Sequence, residues 1–205
     1  MNLETARQYA GEIIDVLKPY CDRIEIAGGI RREKPEPHDI EIVVKPKFVD
    51  ATYGLYQPLM ENSFDTYLRQ VVLHDGGWVG KEFNYGEPDK AGKKAPCGPK
   101  YYRLKYRGEK LDIFAVIPPA EWGCIFAIRT GDADYSHWLV QQGWPKGLKV
   151  VDGHLERNGI KVITPEEKDF FETLGAKMPE PRFRNYRATR AEPIPSDPLY
   201  LESHP

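Results

Sequence analysis

Cysteine is scarce in this chain: Cys21, Cys97 and Cys124 are the whole supply in 205 residues, and no Cys-x-x-Cys pair occurs. That argues against a disulfide framework and against a zinc site of ordinary Cys/His spacing, and it points to a reducing cytoplasm. Long apolar runs are missing as well. A stretch such as Ile113 to Ile117 is far short of the ~20 residues that span a bilayer. The N-terminus, MNLETARQYAGE, lacks the apolar segment of a signal peptide. Nor is there an excess of positive charge: the formal net charge is −2. A global basic footprint is therefore absent, and any grip on nucleic acid must come from local patches or metal ions. What remains is 40% apolar and 29% charged residues, the make-up of a soluble globular protein with one core or two small subdomains.

Periodicity orders the chain. Ala6, Tyr9, Ala10, Ile13, Ile14 and Leu17 recur at helical spacing, which predicts a helix over 3–18 that Pro19 ends. A short strand over 23–27 runs into Gly28-Gly29, and a charged, proline-rich loop leads to a strand over 39–45. Ser63 is expected to cap a helix through Leu73. The Gly-, Lys- and Pro-rich region 76–100 is expected to be a mobile loop, followed by strands over 101–106 and 110–116. Beyond Pro118-Pro119 the pattern predicts a helix ended by Gly131 and a second over 134–142. Two tight hairpins follow at Asp152-Gly153 and Asn158-Gly159. A last helix should be capped by Thr164-Pro165-Glu166-Glu167 and stopped by Gly175. The expected fold class is α/β (α+β): a mixed-sheet unit over 1–117, a small helical and hairpin subdomain over 118–184, and a loosely packed Pro/Arg-rich tail over 185–205.

The chemistry concentrates in Gly28-Gly29-Ile30-Arg31-Arg32 and Asp39-Ile40-Glu41. Paired glycines after a strand let the backbone approach a ligand, with free N–H groups for phosphate oxygens. Arg31 and Arg32 can add charge-assisted bonds to the same phosphates. Asp39 and Glu41 alternate along a strand, so both carboxylates project from one face. Adjacent carboxylates repel unless a cation sits between them, and Mg²⁺ takes hard oxygen ligands and substrate phosphates. Asp112, an acid in the otherwise apolar strand Leu111-Asp112-Ile113-Phe114, needs a partner, and a metal shared with Asp39 and Glu41 supplies one. The competing reading of each acid is a solvated strand face or edge.

This set resembles the nucleotidyltransferase superfamily, and within it the DNA polymerase beta-like family X DNA polymerases: a Gly-Gly pair, an arginine pair, an Asp-x-Glu on a strand and a later lone Asp. Thr130-Gly131 falls where that family has an aromatic-Thr-Gly turn. Glu166 to Phe171, Leu174-Gly175 and Pro181-Arg182 resemble the end of its nucleotide-selecting subdomain. The resemblance implies a palm with two Mg²⁺ ions (Mn²⁺ as an alternative) held by Asp39, Glu41 and Asp112. It implies nucleotide contacts from Gly28, Gly29, Arg31, Arg32, Thr130, Gly131, Tyr135 and Ser136, and nucleic-acid contacts from Lys100, Arg103, Lys105 and Arg182. The implied partners are nucleoside triphosphates and a DNA primer-template, for a monomer without a membrane. The implied role is primer extension in gap filling or end repair, from a minimal palm with its nucleotide-selecting subdomain and no lyase or helix-hairpin-helix domain upstream.

Three departures stand out. Gly29 replaces a frequent serine, Glu41 replaces the more usual Asp, and Ile128-Arg129 replaces the aromatic pair that helps reject ribonucleotides, so weak sugar discrimination is expected. The basic residues Lys93, Lys94, Lys100, Arg103, Lys105 and Arg107 read equally as a nucleic-acid track or a solvated loop. Transfer to RNA, protein or a small molecule stays open, because one palm serves many acceptors. A non-catalytic binding module is disfavoured by the three acids.

Overall fold

The computed structural model describes residues 1–50, 60–72, 83–85 and 97–185. Helix α1 (Leu3–Leu17) is capped by Asn2, whose side chain accepts from the Thr5 N–H, and Pro19 lies in the 3₁₀ turn Lys18–Tyr20 that follows. Strand β1 (Cys21–Ile26) leads through Ala27 into the single helical turn α2 (Gly28–Arg31), and β2 spans Ile40–Pro46. The short strands β3 (Phe48–Asp50) and β4 (Met60–Asn62) pair with each other.

Helix α3 (Ser63–Tyr67) begins one position earlier than the cap expectation: Asn62 is the N-cap, and Ser63 instead donates its hydroxyl to the Lys47 carbonyl. It passes into a π-helical turn, Leu68–Val72; Leu73 lies outside the described residues. So does most of the expected loop over 76–100, including Lys93 and Lys94. Two pieces of it are strands, β5 (Phe83–Tyr85) and β6 (Cys97–Gly98), which correct a loop assignment there. Their partner is β7 (Tyr101–Tyr106), and β8 (Glu109–Ala115) completes the unit.

The main sheet runs β1-β2-β8-β7-β5, with β6 also on β7. It is mixed: β2 and β8 are parallel, and the other pairs are antiparallel. Alternation divides its faces. Ile40, Ile42, Val44, Leu111 and Ile113 turn toward Ala6, Ala10, Ile13 and Leu17 of α1 and form the larger core. The opposite face carries Val43, Phe114 and Val116, packed on Trp122 and Phe126 of α4 (Trp122–Thr130). Glu41 and Asp112 stand on this second face by the same alternation.

A further core lies among α4, α5 (Ala133–Gln141), the sheet β9 (Leu148–Val151), β10 (His154–Arg157) and β11 (Ile160–Val162), and α6 (Glu167–Leu174). Both hairpins turn as expected, with positive φ at Asp152-Gly153 and Asn158-Gly159, the signature of primed turns. Helix α6 is capped by Glu166 and not by Thr164, through a reciprocal box with Asp169, and Gly175 ends it in the left-handed region. The chain is still packed where the expected tail begins: Arg184, the residue before it, is 1% exposed. Residues 186–205, with Arg187 and Arg190, lie outside the described set. Among the described residues no helix is long and apolar enough to cross a membrane.

Candidate active site

The acidic centre is set by strand register. Glu41 on β2 and Asp112 on β8 are direct partners in the parallel ladder, so their side chains leave the same face side by side. Asp39 lies two residues before Glu41, just ahead of the strand. Burial comes first in raising the Asp39 carboxyl, with the charge of Asp112 second. Burial and then the charge of Asp39 push Glu41 up to about 7, and the Arg32 guanidinium opposes this only in part. Three acids thus feel one another in a partly dry place, where the nearby cations offset only part of the effect on Asp39 and Glu41.

The glycine turn is built around Glu41. Gly28 has φ +57°, and a Cβ placed on it would come within 1.7 Å of Glu41 Oε2. The Ala27 N–H donates to the Glu41 carbonyl at 2.8 Å, tying the turn to β2. Beside it opens a cleft of about 630 Å³ lined by Gly29, Arg32, Asp39, Glu41, Gly131 and Ser136. A second cleft, about 520 Å³, is lined by Lys100, Arg103, Asp112 and Phe114 among others. Glu41 and Arg129 line both.

Asp112 is only 6% exposed and already has partners. Arg103 Nε and Nη2 donate to its two oxygens at 3.0 and 3.1 Å, and the Tyr101 hydroxyl donates to Oδ1 at 2.9 Å. Burial, then the Asp112 charge, raises the Tyr101 phenol to about 12, so it stays a donor. Among the described residues no three His, Cys, Asp or Glu side chains form a ready-made ligand group. The donor types suit Mg²⁺, which takes carboxylate oxygens at an uncompensated acidic centre, but Asp112 must exchange Arg103 for a metal to join them.

Several expected contacts are redirected. Arg31 faces away from the cleft and onto Glu167, donating to both carboxylate oxygens at 2.8 and 2.9 Å, and to the Thr130 hydroxyl, with its guanidinium over the Phe126 ring. A phosphate role for Arg31, or for the Thr130 side chain, therefore meets groups already saturated. The reason is burial: the Glu167 carboxylate, 8% exposed, needs cationic donors. Burial pushes the Glu167 carboxyl up, yet Arg31 and Arg184 outweigh it and hold it below its ordinary value. Tyr135, expected to stack on a nucleotide, is wholly buried in the α5 core. Ser136 is at the cleft, but its hydroxyl donates to the Ile128 carbonyl at 2.6 Å. Gly131 is the C-cap of α4, packed on Ser136 and Tyr135. Arg103 is on Asp112; Lys105 shares its sheet face by alternation; Lys100 lines the second cleft. Arg182 pairs with Glu180 at 2.9 Å, outside both clefts. Arg32 stays at the cleft, donating one bond to the Thr130 carbonyl at 2.6 Å. Sequence reading does not place Arg129, Lys34 or His38 in the site, yet each lines the first cleft. For Arg129 a signal exists: it is a lone cation ending the mostly apolar run Trp122 to Ile128.

No known family model matches the chain. It is 27% identical over 171 residues to DNA polymerase lambda from Rattus norvegicus, an alignment that covers 78% of this chain and 28% of that protein. The chain thus spans under a third of the relative, and the similarity is a distant one to a DNA polymerase.

Proposed function

We propose that the protein is a nucleotidyltransferase of the DNA polymerase beta-like kind, adding nucleotides to a primer 3′-hydroxyl, with a palm over 1–117 and a nucleotide-selecting part over 118–184. One observation carries the reading: Glu41 and Asp112 are ladder partners on parallel strands, with Asp39 beside them, at the wall between two clefts. The distant similarity to a DNA polymerase supports it. Asp39, Glu41 and Asp112 would hold Mg²⁺, or Mn²⁺ in its place. Bound there, the metal supplies the positive charge that tolerates three acids and a triphosphate together. The N–H groups of the Gly28-Gly29 turn and Arg32 bind the β and γ phosphates. Asp112, released from Arg103, accepts the hydroxyl proton. The hydroxyl oxygen bonds to the α phosphorus as the bond to the β-phosphate bridge breaks, and pyrophosphate leaves with that electron pair. The walls of α4 and the sheet exclude water from the carboxylates.

A second acceptor class has an observation of its own. Arg103 is committed to Asp112 and Arg182 to Glu180, so two of the cations expected on a duplex backbone are engaged by acids of this chain. Transfer to a single strand, RNA or another acceptor would fit that economy. The purified protein with Mg²⁺ and labelled triphosphates, offered gapped, recessed and single-stranded DNA, separates the two. Template-dependent extension supports the polymerase reading, and transfer only to RNA or protein supports the other. Asp112→Ala should abolish transfer while nucleotide binding persists; a fully active variant removes Asp112 from the mechanism. With Ile128 and Arg129 ahead of Thr130, dNTPs and rNTPs should be incorporated at comparable rates, whereas a thousand-fold preference would refute that.

A further inference from the structure

Two clefts meet at one wall, and the two residues shared by both linings carry opposite charge: Glu41 and Arg129. Arg129 ends α4 as its last-turn cation. Its guanidinium carbon lies over the Phe114 ring of β8, 3.9 Å from the ring centroid, and its Nε is buried without a hydrogen-bond partner. A buried guanidinium N–H with nothing to donate to is costly to keep. Arg184, which is buried with a full set of partners, shows how this chain satisfies such a group when the role is architectural: a carboxylate on one side and a carbonyl on the other. Arg129 has Glu41 and Asp112 within electrostatic reach, and both favour its charge against burial. Asp112, however, is bonded to Arg103 and Tyr101.

We infer that Arg129 is a catalytic residue that donates to the non-bridging oxygens of the phosphoryl group as it passes from the first cleft to the second. This rests on the proposed nucleotidyl transfer. The first cleft holds the glycine turn and Arg32, which suit the departing pyrophosphate; the second holds Asp112 and Lys100, which suit the incoming hydroxyl. The transferred phosphorus must cross between them. A planar guanidinium fork held by an aromatic ring matches the equatorial oxygens geometrically, and it needs no reorganisation as charge builds there. The contact with Phe114 holds the fork at the wall between the clefts while its Nε stays unpaired.

The test compares wild type with Arg129→Met, which keeps the length and the apolar stem, and Arg129→Lys, which keeps the charge. Nucleotide addition is followed under single turnover with Mg²⁺, using ordinary and α-thio triphosphates. Thermal melts are run in parallel. The expectation for Arg129→Met is a kcat lower by about 10²–10³-fold, the loss typical of one transition-state donor, with KM changed little. Arg129→Lys should recover part of the rate, and the α-thio effect of wild type should shrink in Arg129→Met. A merely structural role would lower Tm and spare the thio effect. An unchanged kcat, or a loss confined to KM, overturns the inference while nucleotidyl transfer by wild type still stands. A wild type that transfers nothing to any acceptor overturns the reading of the site, and this inference with it.

Discussion

Two buried charge clusters sit on either side of α4, and they are handled in opposite ways. Around Glu167 every charged group has hydrogen-bond partners: Arg31 and Arg184 both grip one carboxylate, and Arg184 also donates to the Pro179 carbonyl. Around Glu41 the balance fails. Burial and neighbouring acids raise both carboxyls, Asp112 acting on Asp39 and Asp39 on Glu41, while Arg129 rests on a ring with an unpaired Nε. Matched charge joins the first part of the chain to the last, since Arg31 follows β1 and Arg184 follows α6. Mismatched charge is tolerated where a ligand can complete it. The comparison teaches that buried charge alone does not mark a site; incomplete charge does.

The heaviest blow to this contrast is Glu167→Ala. It strands two guanidiniums, one of them 1% exposed, and should lower unfolding stability by about 3–5 kcal/mol in urea melts. A loss below 1 kcal/mol would mean that the matched cluster is ornamental. Glu41→Gln should act in the opposite direction. The Glu41 carboxyl titrates higher folded than unfolded, so its contribution to stability is complete below about pH 4.5 and is lost as pH rises through about 7. Removing the charge should therefore raise Tm by about 2–4 °C at pH 8, and by about 1 °C or less at pH 5, in scans without divalent metal. A lower Tm at pH 8 would show that Glu41 is satisfied after all. Smallest is Lys168→Ala, which breaks an exposed pair with Glu172 at 3.5 Å. Its effect should stay within about 0.5 kcal/mol. A larger effect would show that exposure does not rank these pairs.

Much of this was legible in the chain because it is local. The α1 stripe, the alternation of β2 and the Asp152-Gly153 and Asn158-Gly159 turns depend on neighbours a few residues away. So does the shared face of Glu41 and Asp112, once β2 and β8 are taken as adjacent. Caps were less legible where two suitable residues compete: Asn62 displaces Ser63, and Glu166 displaces Thr164. Strands β5 and β6 have little pattern of their own and exist through β7. The fates of Arg31, Arg103 and Tyr135 depend on packing that spacing does not encode. Arg31 meets Glu167 across 136 positions, and Tyr135 closes a core drawn from three helices and a sheet. Composition marks Arg31 and Arg32 as equals, whereas the fold gives one to Glu167 and leaves the other at the cleft.

Gly28 and Glu41 share a single volume: an added methyl on the first would occupy the space of the second's carboxylate. A change at one position is thus felt at the other. Lengthening the turn residue demands that the acid recede, and trimming the acid to aspartate would clear only part of the space, because the Glu41 Cβ itself would lie 2.9 Å from the added carbon. The carboxylate of this chain's acid and the bareness of its turn form one steric unit, written on two separate elements.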